Sequence, residues 1–192
     1  MSSEKAFFKF RIFTGSLKGK LIKTPNLGVT RPPLSRLRKS IFDFLNPYLP
    51  ESTYLDLFSG TGSYLFEAVS RGVNIAYGVE KDKILAASIN EQAVKFGIKE
   101  KLYCLCQDVF ETIPKLESQK MKFDLIMIAP PQYKGLINMT LEHLLKHRLL
   151  EKKGYILCQH DTTESKKINF LDYKIFQQRK YGNTTFTILT QD

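Results

Sequence analysis

The sequence has few cysteines, and those it has do not suggest a metal site. Cys104, Cys106 and Cys158 lie in apolar strand-like runs. Cys-x-Cys is not a usual zinc spacing, so we expect reduced core thiols. His143 and His147 are four positions apart on a predicted helix, but they do not form the His-Glu-x-x-His pattern. We therefore expect no bound metal.

Long apolar runs are also missing. No run approaches the roughly 20 residues that a membrane helix needs. The opening Met-Ser-Ser-Glu-Lys lacks the charged-then-apolar layout of a signal peptide. The 192 residues and 22.1 kDa suit one domain with a substantial core, and 43% hydrophobic residues is ordinary for a globular protein. We expect a cytoplasmic protein that makes no membrane contact.

Acidic residues are almost absent from the first forty positions. Residues 1–40 carry ten Lys or Arg against Glu4 alone, a balance of +9, so the rest contributes only +1 of the net charge of +10. Residues 7–13 and 17–22 are predicted to form two strands around Thr14-Gly15-Ser16, with basic and aromatic residues interleaved. Such a surface attracts polyanions, so we favour nucleic-acid binding over a merely soluble surface.

A helix is predicted after this basic hairpin. It begins near Ser35, and apolar residues recur at helical spacing from Leu37 to Leu49. Arg36, Arg38 and Lys39 fall in its first turn, where the helix dipole disfavours cations. A bound anion would offset that cost, which supports contact with phosphate.

A glycine-rich turn follows a short apolar run that ends at Asp56. Gly60 and Gly62 let the backbone bend sharply and approach a ligand closely. Leu65 occupies the position where a dinucleotide fingerprint needs glycine or alanine, and Ser63-Tyr64 does not supply the Lys-Ser/Thr of a P-loop. The remaining Asp-x-x-x-Gly-x-Gly pattern resembles motif I of S-adenosylmethionine-dependent methyltransferases. A tight turn without a ligand is the alternative.

From this turn onward the pattern alternates between strand and helix. Strands are predicted at residues 75–79, 102–105, 123–128 and 155–158, helices at 83–96 and 136–150, and a final antiparallel pair at 173–178 and 184–189. Alternation of this kind indicates an α/β fold with a doubly wound, mostly parallel sheet.

Two further acids follow predicted strands. Glu80 comes 24 positions after Asp56, close to the roughly 20 expected for a carboxylate that binds ribose hydroxyls. Asp108 follows the next strand, where it could accept from an adenine amino group. Either could instead be an ordinary exposed loop acid. Their positions at successive strand ends beside the glycine turn favour nucleoside binding.

At this point a family resemblance becomes specific. The whole chain resembles the bacterial small-subunit ribosomal RNA guanine-N2 methyltransferases. The matching segments are Arg11-Ile-Phe-Thr-Gly15, Lys18-Gly-Lys20, Arg31-Pro32, Arg36-Leu-Arg38-Lys-Ser-Ile-Phe42, Asp56-Leu-Phe-Ser-Gly60-Thr-Gly62, Glu67-Ala, Ser70-Arg-Gly72, Glu80, Asp108, Pro130-Pro131, Lys134-Gly-Leu136 and Tyr181-Gly-Asn-Thr184.

The resemblance implies a class I methyltransferase (Rossmann-like) fold with a seven-stranded sheet and an N-terminal hairpin and helix extension. Residues 1–50 would form the RNA-binding extension and residues 51–192 the methyltransferase core. S-adenosylmethionine would be the methyl donor. Its site would comprise Asp56, Phe58, Gly60, Gly62, Glu80, Lys81, Asp108 and Val109. RNA phosphates would contact Arg11, Lys18, Lys20, Arg31, Arg36 and Arg38.

The chain departs from the family at the motif that follows the fourth strand of the core. The family has Asp-Pro-Pro and then Tyr or Phe, whereas this chain has Ala129-Pro130-Pro131-Gln132, with Tyr133 one place later. In the family, the acid and the first proline carbonyl orient the exocyclic amine, and the aromatic residue stacks on a flipped base. Pro130, Gln132 and Tyr133 could still serve here. Losing one charged acceptor would cost about 2–4 kcal/mol of transition-state stabilisation.

Three hypotheses follow. The first is methylation of guanine N2 in small-subunit ribosomal RNA, either free or in a partly assembled subunit, by a monomer. The second is a catalytically inactive RNA-binding or ribosome-assembly module, suggested by Ala129. The third keeps the methyl transfer but changes the acceptor to adenine N6 or a protein amide, an option suggested by Gln132.

Overall fold

The computed structural model describes residues 7–28 and 35–191. In chain order the strands are β1 Phe7–Arg11, β2 Leu21–Pro25, β3 Thr53–Asp56, β4 Ile75–Glu80, β5 Leu102–Cys106, β6 Phe123–Ile128, β7 Leu150–Asp161, β8 Lys174–Tyr181 and β9 Thr184–Thr190. The helices are α1 Ser35–Leu45, α2 Ser63–Ser70, α3 Lys83–Lys95, α4 Val109–Ser118 and α5 Leu136–His147, with 3₁₀ turns at Asn46–Tyr48 and Thr162–Lys167.

Seven of the strands form one sheet in the order β5-β4-β3-β6-β7-β9-β8. The pairs from β5 across to β7 are parallel, and β9 runs antiparallel between β7 and β8. This confirms the predicted α/β fold with its mostly parallel seven-stranded sheet. The strand order reverses beside β3, and ligands of open α/β sheets bind outside the carboxyl ends of the strands at such a point.

Buried apolar residues form two clusters, one on each face of the sheet. The first joins the hairpin, α1, α2 and α3, with Phe10, Ile41 and Leu65 among its members. The second lies under α4 and α5 and includes Ile113 and Leu141. Helices on both faces are what a doubly wound sheet requires. The N-terminal hairpin and α1 share their apolar cluster with the core helices α2 and α3.

The N-terminal hairpin is present, but its turn is longer than the sequence suggests. β1 ends at Arg11 and pairs with β2 from Leu21, so the prediction of strands at 7–13 and 17–22 is wrong at the inner ends. The connecting residues instead pack on the end of α2. The Ser16 amide donates to the Ser70 carbonyl at 2.8 Å. A Cβ on Gly15 would lie 1.6 Å from that same oxygen, so only glycine permits this approach.

The other differences concern element bounds and one missed helix. α4 was not predicted, and it contains Pro114 in its interior. α5 ends at His147 rather than residue 150, and β7 begins at Leu150, earlier than expected. Among the cysteines, Cys104 and Cys158 are buried, but Cys106 is exposed, so the prediction of a core thiol is wrong there. No helix within residues 7–28 and 35–191 is long and apolar enough to cross a membrane.

Candidate active site

The glycine-rich loop joins the carboxyl end of β3 to α2. Gly60 and Gly62 have φ angles of 50° and 74°, in the left-handed region that residues with a Cβ disfavour. The Ser59 amide donates to the Val79 carbonyl of β4 at 3.0 Å. This hydrogen bond fixes the loop against the neighbouring strand, with its backbone at the ligand-binding edge of the sheet.

Gly62 is constrained by both conformation and space. A Cβ there would lie 2.8 Å from Cγ1 of Ile89. Gly62→Ala should therefore lower the free energy of unfolding by about 2–4 kcal/mol, through backbone strain plus overpacking. Gly97→Ala is the matched control, because Gly97 also has a positive φ, 69°, but a Cβ added there would have no atom within 4 Å. Urea unfolding should show a smaller loss for the control, and equal losses would contradict this account.

Asp56 lies at the floor of the site and is only 1% exposed. Its Oδ1 accepts from the Phe58 amide at 3.2 Å, while its Oδ2 is buried and has no hydrogen-bond partner. Burial raises the pKa of the Asp56 carboxyl to about 7, and the nearby Glu80 carboxylate adds to this rise. A buried carboxylate oxygen without a donor is a costly arrangement that a bound cationic group can relieve.

Glu80, at the end of β4, binds two backbone amides with its two carboxylate oxygens. Its Oε2 accepts from the Gly60 amide and its Oε1 from the Asp82 amide, each at 2.8 Å. Each oxygen keeps a further lone pair. Glu80 therefore shapes the glycine-rich loop and can still accept from two hydroxyls of a ligand.

The remaining predicted donor residues lie along the same edge. Asp108 is the N-cap of α4, where its Oδ1 accepts from the Phe110 amide at 2.8 Å. Lys81 is exposed, Phe58 is half-buried and Val109 is buried. The orphaned oxygen of Asp56 and the spare lone pairs of Glu80 fit a polar nucleoside that carries positive charge. Among the described residues no group of three His, Cys, Asp or Glu could hold a metal ion.

The loop after β6 lies next to the glycine-rich loop. The Leu57 amide, just after β3, donates to the Met127 carbonyl of β6 at 3.0 Å. Ala129 and Pro130 are half-buried, whereas Pro131 and Gln132 are exposed. The predicted donor and acceptor residues therefore follow neighbouring parallel strands at one edge of the sheet.

A cavity of about 160 Å³ adjoins this loop. Its lining includes Pro130, Gln132, Gln159 and Glu164. The Tyr64 hydroxyl of α2 donates to Oε1 of Gln159. Gln159 and Glu164 were not found from the sequence, because they lie in β7 and the turn after it without a recognisable motif and reach the loop only through the fold.

The predicted phosphate-binding residues separate into exposed and buried ones. Arg11, Lys18, Lys20 and Arg36 are exposed, and Nη1 of Arg11 donates to the Gly19 carbonyl at 3.1 Å. Arg31 lies outside the described residues. The four exposed cations are available to a nucleic-acid backbone.

Arg38 is not available to RNA, so its prediction as a phosphate-binding residue is wrong. Its side chain is 0% exposed, and the guanidinium carbon lies 4.8 Å from the ring centroids of both Phe10 and Phe13. Nη2 donates to the Arg11 carbonyl at 2.7 Å. Nε lies 3.6 Å from Oε2 of Glu67. Arg38 therefore joins α1 to the hairpin and to α2.

The contact between Arg38 and Glu67 belongs to an ion network that was not predicted from the sequence. Nε of Arg71 lies 3.1 Å from Oε1 of Glu67, and its Nη1 lies 2.9 Å from Oδ1 of Asp43 on α1. Lys39 pairs with Asp43 as well. Protein carboxylates thus neutralise two of the three cations in the first turn of α1. The spacing of Glu67 and Arg71, four residues apart, was the available signal.

Most of the chain resembles known proteins. The family model described as "Conserved hypothetical protein 95" matches residues 10–190. "Ribosomal RNA small subunit methyltransferase D" from Buchnera aphidicola subsp. Acyrthosiphon pisum is 29% identical, over 82% of this chain and 81% of its own. The solved structure of a hypothetical protein from Thermus thermophilus gives a TM-score of 0.79 at 28% identity, over 94% of this chain and 99% of that one.

A more distant solved structure has a bound ligand. The "RNA methyltransferase from Salinibacter ruber in complex with S-Adenosyl-L-homocysteine" gives a TM-score of 0.64 at 12% identity, over 84% of this chain and 95% of that one. At this identity the match shows a common fold.

Proposed function

The chain belongs to the conserved hypothetical protein 95 family, and from that premise we propose that it methylates N2 of a guanine in small-subunit ribosomal RNA, with S-adenosylmethionine as donor. The observation that carries the proposal is the position of two loops at one sheet edge. The loop from Asp56 to Gly62, braced by Glu80, follows β3, and the loop from Ala129 to Tyr133 follows the neighbouring strand β6. The name of the Buchnera relative supports ribosomal RNA as the substrate class.

The donor would be held by the acids at the strand ends. Glu80 offers its spare lone pairs to both ribose hydroxyls, and Asp108 accepts from the adenine amino group. The backbone of Gly60 and Gly62, together with Phe58, Lys81 and Val109, surrounds the nucleoside. Asp56 places negative charge beneath it, which favours a cationic ligand. When bound, the donor supplies an electrophilic methyl group on a sulfonium.

The acceptor base would lie against the loop after β6. The Pro130 carbonyl and the Gln132 amide oxygen accept from the exocyclic amine and aim its nitrogen at the methyl group. Tyr133 supplies a stacking surface, because its side chain is 66% exposed. Methyl transfer would form the new N–C bond, break the sulfur–methyl bond of the donor and release S-adenosylhomocysteine, and the amine would give up one proton to solvent. Residue 129 contributes no charge to this step.

The RNA backbone would bind the cationic N-terminal residues. Arg11, Lys18, Lys20 and Arg36 carry exposed charge that phosphates neutralise, and Arg31 would join them. Residues 1–50 would thus serve as the RNA-binding extension and residues 51–192 as the methyltransferase core. We place the protein in the cytoplasm, acting as a monomer on free or partly assembled small-subunit RNA.

Calorimetry with S-adenosylhomocysteine and filter binding of small-subunit RNA test this function at the level of binding. We expect saturable binding of both ligands, with an RNA affinity that falls steeply with salt. Failure to bind S-adenosylhomocysteine would rule out a methyltransferase.

Ala129 favours a second candidate, an RNA-binding module that has lost catalysis. Ala129→Asp separates the two functions. In an active site adapted to alanine, the variant should change kcat by less than about tenfold, because the Pro130 carbonyl and Gln132 already orient the amine. In an inactive module, restoring the acid should create activity, by about 100-fold or more. Methyl transfer from labelled donor, measured for both proteins, decides between them.

A further inference from the structure

Tyr133 has a backbone conformation that bulky residues rarely adopt. Its φ angle is 61°, in the left-handed region that is disfavoured for aromatic side chains. The residue is nevertheless exposed, so packing of its ring does not impose this conformation. A hydrogen bond to a distant part of the chain stabilises it.

A carboxylate in the turn after β7 accepts that hydrogen bond. Oε1 of Glu164 accepts from the Tyr133 amide at 2.9 Å. The turn itself is capped by Asp161, because its Oδ1 accepts from the Thr163 amide at 2.8 Å and the Thr163 hydroxyl at 2.7 Å. The Tyr133 backbone is therefore anchored to this segment.

That segment is anchored in turn to α5. Nδ2 of Asn138 donates to the Lys167 carbonyl at 3.2 Å, and the Asn169 amide donates to Oδ1 of Asn138 at 3.1 Å. Glu164 also lines the cavity beside Pro130 and Gln132. Glu164, the anchor of Tyr133, is thus part of the wall of the candidate acceptor site.

We propose that Glu164 is a positioning residue that fixes Tyr133 as the stacking surface for the acceptor purine. This inference rests on the proposed function. Tyr133 has a left-handed backbone conformation, and the hydrogen bond from its amide to Glu164 holds that conformation before the base arrives. A pre-formed stacking surface lowers the entropy that is lost on base binding.

Two substitutions at Glu164 distinguish the effect of its hydrogen bond to the Tyr133 amide from the effect of its negative charge. Glu164→Ala removes the acceptor for the Tyr133 amide and should lower kcat/KM for RNA methylation at least about tenfold. Glu164→Gln keeps an oxygen that can accept from the same amide and should stay within about threefold of wild type. Glu142→Ala, at an exposed carboxylate on α5, is the matched control. Binding of S-adenosylhomocysteine should be unchanged in all three variants.

A spectroscopic readout makes the inference independent of turnover. In protein labelled with 3-fluorotyrosine, the Tyr133 signal is identified by its loss in Tyr133→Phe. Glu164→Ala should move that signal towards the position of a mobile tyrosine, whereas Glu164→Gln and Glu142→Ala should leave it in place.

Two results would overturn the inference: a Tyr133 signal unaffected by Glu164→Ala, or a glutamine variant as impaired as the alanine variant. A wild-type protein that transfers no methyl group would instead overturn the proposed function, and the fluorine signal would still decide whether Glu164 positions Tyr133.

Discussion

Replacing Asp56 by asparagine should stabilise the free protein at pH 8 while weakening its affinity for S-adenosylmethionine. The carboxyl is 1% exposed, its Oδ2 has no donor, and burial raises its pKa to about 7. At pH 8 the wild type must bury an ionised carboxylate, and the asparagine variant need not. We expect the free energy of unfolding of the variant to be higher by about 1–3 kcal/mol. This gain lies below the upper limit set by the raised pKa of Asp56, since each pKa unit corresponds to about 1.4 kcal/mol.

The contribution of Asp56 to stability depends on pH with the opposite sign to that of a salt-bridged acid. The raised pKa means that the folded state holds this proton more tightly than the unfolded chain does. The contribution of Asp56 to stability is therefore fully present below about pH 4 and is lost as pH rises through about 7. Urea unfolding should show the advantage of Asp56→Asn growing between pH 5 and pH 8. The control Asp172→Asn, at an exposed carboxylate, should show no such trend. A variant whose advantage shrinks as pH rises would contradict the account.

Donor affinity should move in the other direction. The carboxylate attracts the positive charges of the donor, and losing a charge-assisted interaction of about 1.5–3 kcal/mol weakens binding about 10–100-fold. Calorimetry at pH 8 measures the change directly. Asp56→Asn that binds S-adenosylmethionine as tightly as wild type would remove Asp56 from the donor site.

Arg38→Ala should cost more stability than alanine substitution of either other cation in the first turn of α1. The guanidinium is enclosed by Phe10 and Phe13 and pairs with the buried carboxylate of Glu67. Removing one partner of a buried ion pair typically costs about 3–5 kcal/mol, because the other charge stays buried. Arg71 still contacts Glu67, which places the expected loss towards the lower end. Urea unfolding monitored by circular dichroism gives the value.

Arg36→Ala is the matched control for this prediction. It lies two residues earlier on the same helix and is exposed, so its stability should stay within about 0.5 kcal/mol of wild type. The order of the two variants should be reversed for RNA affinity, which should fall measurably in Arg36→Ala. If Arg38→Ala proved as stable as Arg36→Ala, the buried ion network would not be what joins the N-terminal hairpin to the core.

The sequence predicts the central sheet well because its signals are local. Apolar runs followed by helical periodicity place β3 to β7 in order, and the glycine loop and Glu80 mark the ends of β3 and β4. Helix α4 was not predicted, because Pro114 interrupts its helical pattern. The hairpin turn was misplaced because the contact between Gly15 and Ser70, distant in sequence, decides where the strands end.

In the candidate site too, local sequence signals identify some residues and miss the contacts that depend on the fold. Asp56 and Glu80 could be identified from their positions at strand ends, but their hydrogen bonds to the loop backbone could not. In the sequence, Arg38 cannot be distinguished from the other cations of the basic region. Its structural role is evident only from its burial against Glu67. Glu164 has no motif of its own and reaches Tyr133 through the packing of the Thr162–Lys167 turn.

Transfer of labelled methyl from S-adenosylmethionine to small-subunit ribosomal RNA, naked and in subunits, tests the proposed function most directly. Digestion to nucleosides then identifies the product. Our account predicts label in N2-methylguanosine, produced without a carboxylate at position 129. Absence of label, from a protein that still binds donor and RNA, would contradict the proposed catalysis and favour the RNA-binding module.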